Sequence, residues 1–251
     1  MPIQYVRALT AQARSRRANR HLGLTLAFIA GAINAGGFLA VYQYTSHMTG
    51  IVSAAADHLA RGAAELALDA LGAIFSFVLG AACTAVMVNY ARRRALASEY
   101  ALPLLLEAVL LLVFGVLGAR LSSFEGLFLP LAVVLLCFMM GLQNALVTKL
   151  SQAEIRTTHM TGIVTDIGIE LGKLLYWNAD GGAAQPKVLA NRDRLALLCG
   201  LLLCFFAGGV AGTLGFRHVG WLSTVPLALF LAGLAIVPAL DDLKLAVRRL
   251  R

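Results

Sequence analysis

The chain has 251 residues, of which 59% are hydrophobic and 14% charged, against roughly one quarter charged in ordinary soluble domains. This composition argues against a water-soluble enzyme and points to a lipid bilayer as the main partner of the chain. The formal charge of +8 then concerns where Lys and Arg sit relative to a membrane, and nucleic acid is not an expected partner.

Met1 to Arg20 is a basic amphipathic stretch without the short apolar core and small-residue cleavage site of a signal peptide, so the first span is expected to be retained. Runs free of Asp, Glu, Lys and Arg follow at Leu22–Tyr44, Ala70–Ala91, Gly126–Thr148, Leu195–Phe216 and Val219–Leu240, and Tyr100–Ala119 adds a sixth interrupted by Glu107 alone. A helix rises about 1.5 Å per residue and the hydrocarbon core is about 30 Å thick, so about 20 apolar residues suffice to cross it. Six spans are predicted. With the N-terminus cytoplasmic, all of the 21 Lys and Arg residues except Arg61, Arg120 and Arg217 fall on the inside. That bias predicts a multi-pass protein of the bacterial cytoplasmic (inner) membrane with both termini cytoplasmic.

The first span carries Gly31-x-x-Asn34-Ala35 and leads into Thr45-Ser46-His47-Met48-Thr49-Gly50-Ile51-Val52; the fourth carries Gly141-x-x-Asn144-Ala145 and leads into Thr157-Thr158-His159-Met160-Thr161-Gly162-Ile163-Val164. Seven of the eight motif positions are identical. Fainter echoes follow, Phe77-x-x-Gly80 against Phe205-x-x-Gly208 and Pro103 against Pro226. Each unit makes three crossings, an odd number, so the second copy enters from the opposite side. The predicted fold class is therefore an all-α membrane protein of six transmembrane helices in two inverted-topology three-helix repeats, each with a short half-helix or interfacial helix after its first span. The organisation is a basic segment at 1–21, repeats at 22–122 and 123–240, and a basic tail at 241–251.

The segment after each motif, about Met48 to Ala60 and Met160 to Lys173, is too short to cross. Two placements are open. In the second copy Ile163, Ile167, Leu171 and Leu174 fall on one face and Asp166, Glu170 and Lys173 on another, which suits a helix lying in the interface. The alternative is a re-entrant half-helix with its N-terminus toward the midplane, where Thr49-Gly50 or Thr161-Gly162 offers backbone N–H groups, a capping hydroxyl and close approach, and His47 or His159 a donor or acceptor near neutral pH. Irregular backbone at that depth needs a cavity or protein cover.

These considerations give the candidate substrate-binding set Asn34, Ser46, His47, Thr49, Gly50, Asn144, Thr158, His159, Thr161 and Gly162. A buried carboxylate is costly in a span, so Glu107, with Asp57 and Asp166 after the motifs, forms the candidate coupling set; Asp57 can equally pair with Arg61 at i,i+4. Cys83, Cys137, Cys199 and Cys204 lie singly in apolar spans, without zinc or disulfide spacing. No catalytic series, metal site or cofactor is expected.

Gly141-Leu142-Gln143-Asn144-Ala145, Arg156-Thr157-Thr158-His159-Met160-Thr161-Gly162 and Thr165-Asp166 resemble the signature of the YoaK-like family of bacterial membrane proteins, a domain of unknown function. The resemblance covers nearly the whole chain; in the first half Asn34 and Ile51 stand where the family often has Asp and Asn. It implies a six-helix inner-membrane protein of unassigned activity. The expected function is secondary transport of a small polar or anionic solute at the repeat interface, with a passive aquaporin-like channel or a non-transporting sensor or scaffold as alternatives. A homo-oligomer is compatible with this reading.

Overall fold

A computed structural model describes residues 16–96, 98–150, 157–178 and 187–249. Arg7, Arg14, Arg156 and Arg251 of the orientation argument lie outside the described residues. All elements among those described are helical: α1 (Arg16–Val41), α2 (Met48–Ala60), α3 (Ala64–Arg93), α4 (Ala101–Leu121), α5 (Glu125–Leu150), α6 (Met160–Leu175), α7 (Arg192–Val219), a 3-10 turn (Gly220–Ser223) and α8 (Thr224–Arg249). Five helical stretches are long and apolar enough to cross a membrane: Ala18–Val41, Ala64–Arg93, Ala101–Leu121, Gly126–Leu150 and Arg192–Asp241. The last holds both of the final two predicted spans. At about 1.5 Å per residue it is more than twice as long as a bilayer core is thick, and it is broken at Gly220, whose φ of 65° and ψ of −143° are open to glycine.

The long helices meet through small residues. A Cβ on Gly31 of α1 would strike the Phe205 carbonyl of α7, and one on Gly208 of α7 the Phe28 carbonyl of α1. In the same way Gly141 of α5 lies on the Phe77 carbonyl of α3, and Gly80 of α3 on the Phe138 carbonyl of α5. Absence of a side chain lets backbones touch, the usual way helices associate where lipid removes the hydrophobic drive. Contacts advance together along both pairs: Ser76 with Val134 and Thr84 with Leu142 by hydrogen bonds of 2.6 and 2.9 Å, and Gly200, Gly208 and Gly212 with Leu24, Phe28 and Ala32. So α3 runs parallel to α5 and α1 to α7.

Trp221 collects one end of the bundle. Its ring meets Phe114 of α4, Phe128 of α5 and Phe216 of α7 with centroids 5.5, 5.4 and 6.0 Å away, favourable edge-to-face separations. Here α4 and α7 end and α5 and α8 begin. From this end α8 packs back against α4, with Thr224 on Gly115 and Trp221 on Gly118. At the other end the Tyr100 hydroxyl donates to the Lys149 carbonyl (3.3 Å), Arg92 pairs with Glu99 (2.7 Å), and Ser98 Oγ accepts the Ala101 N–H. Leu22, Leu26, Leu104, Leu111, Leu136 and Leu231 make the fully buried centre.

Candidate functional site

Neither motif continues the helix before it. Tyr42, just past α1, takes φ 55°, a left-handed conformation that costs a side-chain-bearing residue energy, and the chain doubles back. Ser46 then donates both its N–H and its hydroxyl to Asn34 Oδ1, at 3.3 and 2.9 Å. Asn34 is two turns inside α1. The second copy repeats the arrangement, with Thr158 Oγ1 donating to Asn144 Oδ1 and Asn144 Nδ2 to the Met140 carbonyl at 2.8 Å. The two asparagines act as hooks that draw each motif down beside its own helix.

Both motifs thereby reach one cavity of about 670 Å³, well within the range of small-molecule sites. Asn34 and Ala35 of α1 line it, with Tyr44, Ser46 and His47 from the first motif region, Thr158, Met160 and Thr161 from the second, and Leu202, Phe205, Phe206, Gly209, Val210, Thr213 and Leu214 of α7. A second cavity of about 520 Å³, against α2, α3 and α5, shares Tyr44 and His47 as lining and adds Gly50, His58 and Asp69. His47 Nδ1 sits over Gly50, where a Cβ would come within 2.6 Å, and His159 Nδ1 has the same relation to Gly162 at 3.6 Å.

Of the candidate binding residues, then, Asn34, Ser46, His47, Thr158 and Thr161 come together on the first cavity. Gly50 lines the second. Asn144 holds Thr158 from behind, and Thr49, His159 and Gly162 line neither cavity. The α7 wall was not visible in the sequence: Leu202, Phe206, Val210 and Thr213 recur at helical spacing, but a span that is apolar all round gives no sign of which stripe faces a cavity.

The three carboxylates go to different places. Asp57 pairs with Arg61 at 3.0 Å on an exposed face, and Asp166 pairs with Arg194 of α7 at 2.8 Å. Glu107 is fully buried in α4, neither oxygen has a hydrogen-bond partner, and nor has the amide of the buried Gln143 on α5. Glu107 therefore does not snorkel to an interface. On α6 the predicted apolar stripe is shared between the interior and the outer surface of the bundle. Ile163 and Glu170 are buried and Ile167 partly so, whereas Leu171 and Leu174 are exposed. Glu170 is buried with partners: it accepts from Lys173 Nζ at 2.8 Å and from the Asn191 N–H at 2.7 Å. The Lys173 hydrogen bond, then the Asn191 amide, hold its carboxyl below the ordinary range.

Apolar helices of spanning length around buried polar hooks define a multi-pass membrane protein. Residues 22–237 match the family described as "Protein of unknown function (DUF1275)", and the chain belongs to that family. It is 26% identical over 182 residues to the "UPF0700 transmembrane protein YoaK" of Bacillus subtilis (strain 168), covering 71% of this chain and 76% of that protein. No solved structure matches.

Proposed function

We propose that this chain is a secondary transporter of the bacterial cytoplasmic membrane, non-enzymatic, with six spans in two inverted repeats and a cargo site where the two Thr-His-Met-Thr-Gly motifs meet. The observation that carries the reading is the single cavity lined by both motif copies. Duplicated transporters of inverted topology place their sites at such an interface near the midplane, with irregular backbone lining a cavity.

The pairing of helices supports the inversion. Exchanging α1 to α4 with α5 to α8 turns the α1–α7 contact into the α5–α3 contact, down to Gly31 and Gly208 taking the places of Gly141 and Gly80. The break at Gly220 and the return of α8 along α4 support a sixth crossing. Arg92, Arg93, Arg94, Lys149, Arg192 and Arg194 gather at the Tyr100 end, in keeping with that end being cytoplasmic. On this reading α2 and α6 are half-helices whose N-termini dip inward, and Glu107, a carboxyl buried without a partner, carries the coupling proton.

The test needs no cargo. In a variant of the full chain without its four cysteines, single cysteines at positions 46–60 and 158–172 are labelled in oriented membranes with an impermeant maleimide from either side. A transporter alternating about this site labels at positions 46 and 158 from both sides. Labelling confined to one surface along each whole segment removes re-entry and the transport reading together. A proton gradient that fails to drive accumulation, once a cargo is known, would instead leave a passive pore.

A further inference from the structure

The wall of the central cavity narrows what it can hold. Its polar groups are uncharged amides and hydroxyls, those of Asn34, Tyr44, Ser46, Thr158, Thr161 and Thr213, joined by the imidazole of His47, and among the described residues no Asp, Glu, Lys or Arg lines it. Two of the acidic residues of α6 and α7 pair with bases, Asp166 with Arg194 and Glu170 with Lys173. An anion entering such a space would give up its hydration against a wall that, among the described residues, faces it with carbon and neutral groups. The opposite wall is apolar, with Phe205, Phe206, Val210 and Leu214. Phe206 is 68% exposed and Val210 and Leu214 about half so, so the cavity wall is continuous with the face that a spanning α7 turns to lipid.

We infer that the cavity takes an uncharged amphipathic molecule, with room for one several times the size of an aromatic ring. Its apolar body lies on Phe205 and Phe206, its hydroxyl or amide meets Asn34, Ser46 and Thr158, and it enters sideways from the bilayer past Val210. This rests on the reading of the cavity as the cargo site, and it replaces the polar or anionic solute expected from the motifs alone.

Two photoprobes of one shape separate neutral from anionic cargo: trifluoromethyl-phenyldiazirine carrying a benzyl alcohol, and the same diazirine carrying a benzoate. Each is irradiated with the full chain in nanodiscs of zwitterionic lipid at pH 7.5, and adducts are mapped by mass spectrometry. The alcohol is expected to label Leu202 to Leu214 saturably, about tenfold or more above the benzoate. In Val210→Trp, which fills the cavity from the lipid side, that labelling is lost while unlabelled protein melts as the wild type does. Equal or stronger labelling by the benzoate overturns the neutral class and leaves the cargo site standing. Alcohol labelling that does not saturate, or persists in Val210→Trp, is plain lipid-face labelling and overturns the inference; two-sided cysteine labelling at positions 46 and 158 then decides separately whether the transport reading survives. Val210→Ala, which keeps the cavity open, should label as the wild type does.

Discussion

Two glycines of α3 should respond to the same substitution with opposite signs. Gly80 lies against the Phe138 carbonyl and the Leu142 amide of α5, so an added Cβ must push the helices apart by roughly an ångström or more to reach an ordinary carbon–oxygen contact. Overpacking of this kind costs about 1–3 kcal/mol. Gly72, eight residues earlier, has no atom within 4 Å of where its Cβ would stand. There Ala removes backbone freedom without a clash and gains about 0.5–1 kcal/mol. With about 2–4 °C of melting shift per kcal/mol for a chain of this size, Gly80→Ala should melt about 2–12 °C lower than wild type and Gly72→Ala up to about 4 °C higher. In a variant that keeps Cys137 alone of the four cysteines, a maleimide dye that fluoresces on reaction follows melting in detergent, because Cys137 is fully buried until the bundle opens. Gly141→Ala and Gly31→Ala, which face backbone in the same manner, should behave like Gly80→Ala. A Gly80→Ala protein within about 1 °C of wild type, or moving in the same direction as Gly72→Ala, would refute the close α3–α5 contact.

Glu107→Gln should fold and melt at least as well as wild type, since no bond is lost, yet abolish proton-gradient dependence of uptake by about tenfold or more; Asp166→Asn, which loses a surface pair, should change uptake less than about twofold. Asn144→Ala frees Thr158 and should raise maleimide labelling of a cysteine at position 160, whereas Asn144→Asp, which keeps the acceptor, should restore the protected rate; loss of one such bond is worth about 0.5–1.5 kcal/mol. Glu170 has a folded-state carboxyl held below the ordinary range by Lys173 and the Asn191 amide, so its contribution is present at neutral pH and fades as pH falls through and below the ordinary carboxylate range. Glu170→Gln should therefore melt lower than wild type at pH 7, with the gap closing toward pH 3; a gap that widens in acid would contradict the clamp. Ser76→Ala with Thr84→Val removes two interhelical bonds at about 0.6 kcal/mol each and should lower the melting temperature by about 2–5 °C.

The spanning lengths and the paired motifs were legible because they rest on long-range composition and on near-identity, which need no tertiary context. Gly31, Gly80 and Gly208 also stood out, since a small residue repeated at matched positions usually marks a helix contact. Other features were not legible for physical reasons. The meeting of the motifs depends on Asn34 and Asn144 pulling each chain back along its own helix, a bond between residues 12 and 14 apart that periodicity does not report. On α6, the burial of Glu170 rests on its pairing with Lys173 and with the Asn191 amide 21 residues away, which helical spacing does not report.

The departures from two-fold equivalence bear on how such a molecule would move. Ser76 and Thr84 donate to the Val134 and Leu142 carbonyls and fasten α3 to α5 at two points eight residues apart. On the inverted-repeat reading the matching positions of α7 are Cys204 and Gly212. Cys204 has at most a weak donor, and Gly212 has no side chain to bond the Ala32 carbonyl it touches. One helix pair is thus riveted while its counterpart only slides glycine on backbone. The cavity that both motifs line lies beside α7, the helix of the pair without these two bonds. If alternation exchanges the roles of the two halves, the α1–α7 contact is the one that shifts, and Tyr44 and His47, shared by both cavities, are the side chains that must turn for cargo to pass from one to the other.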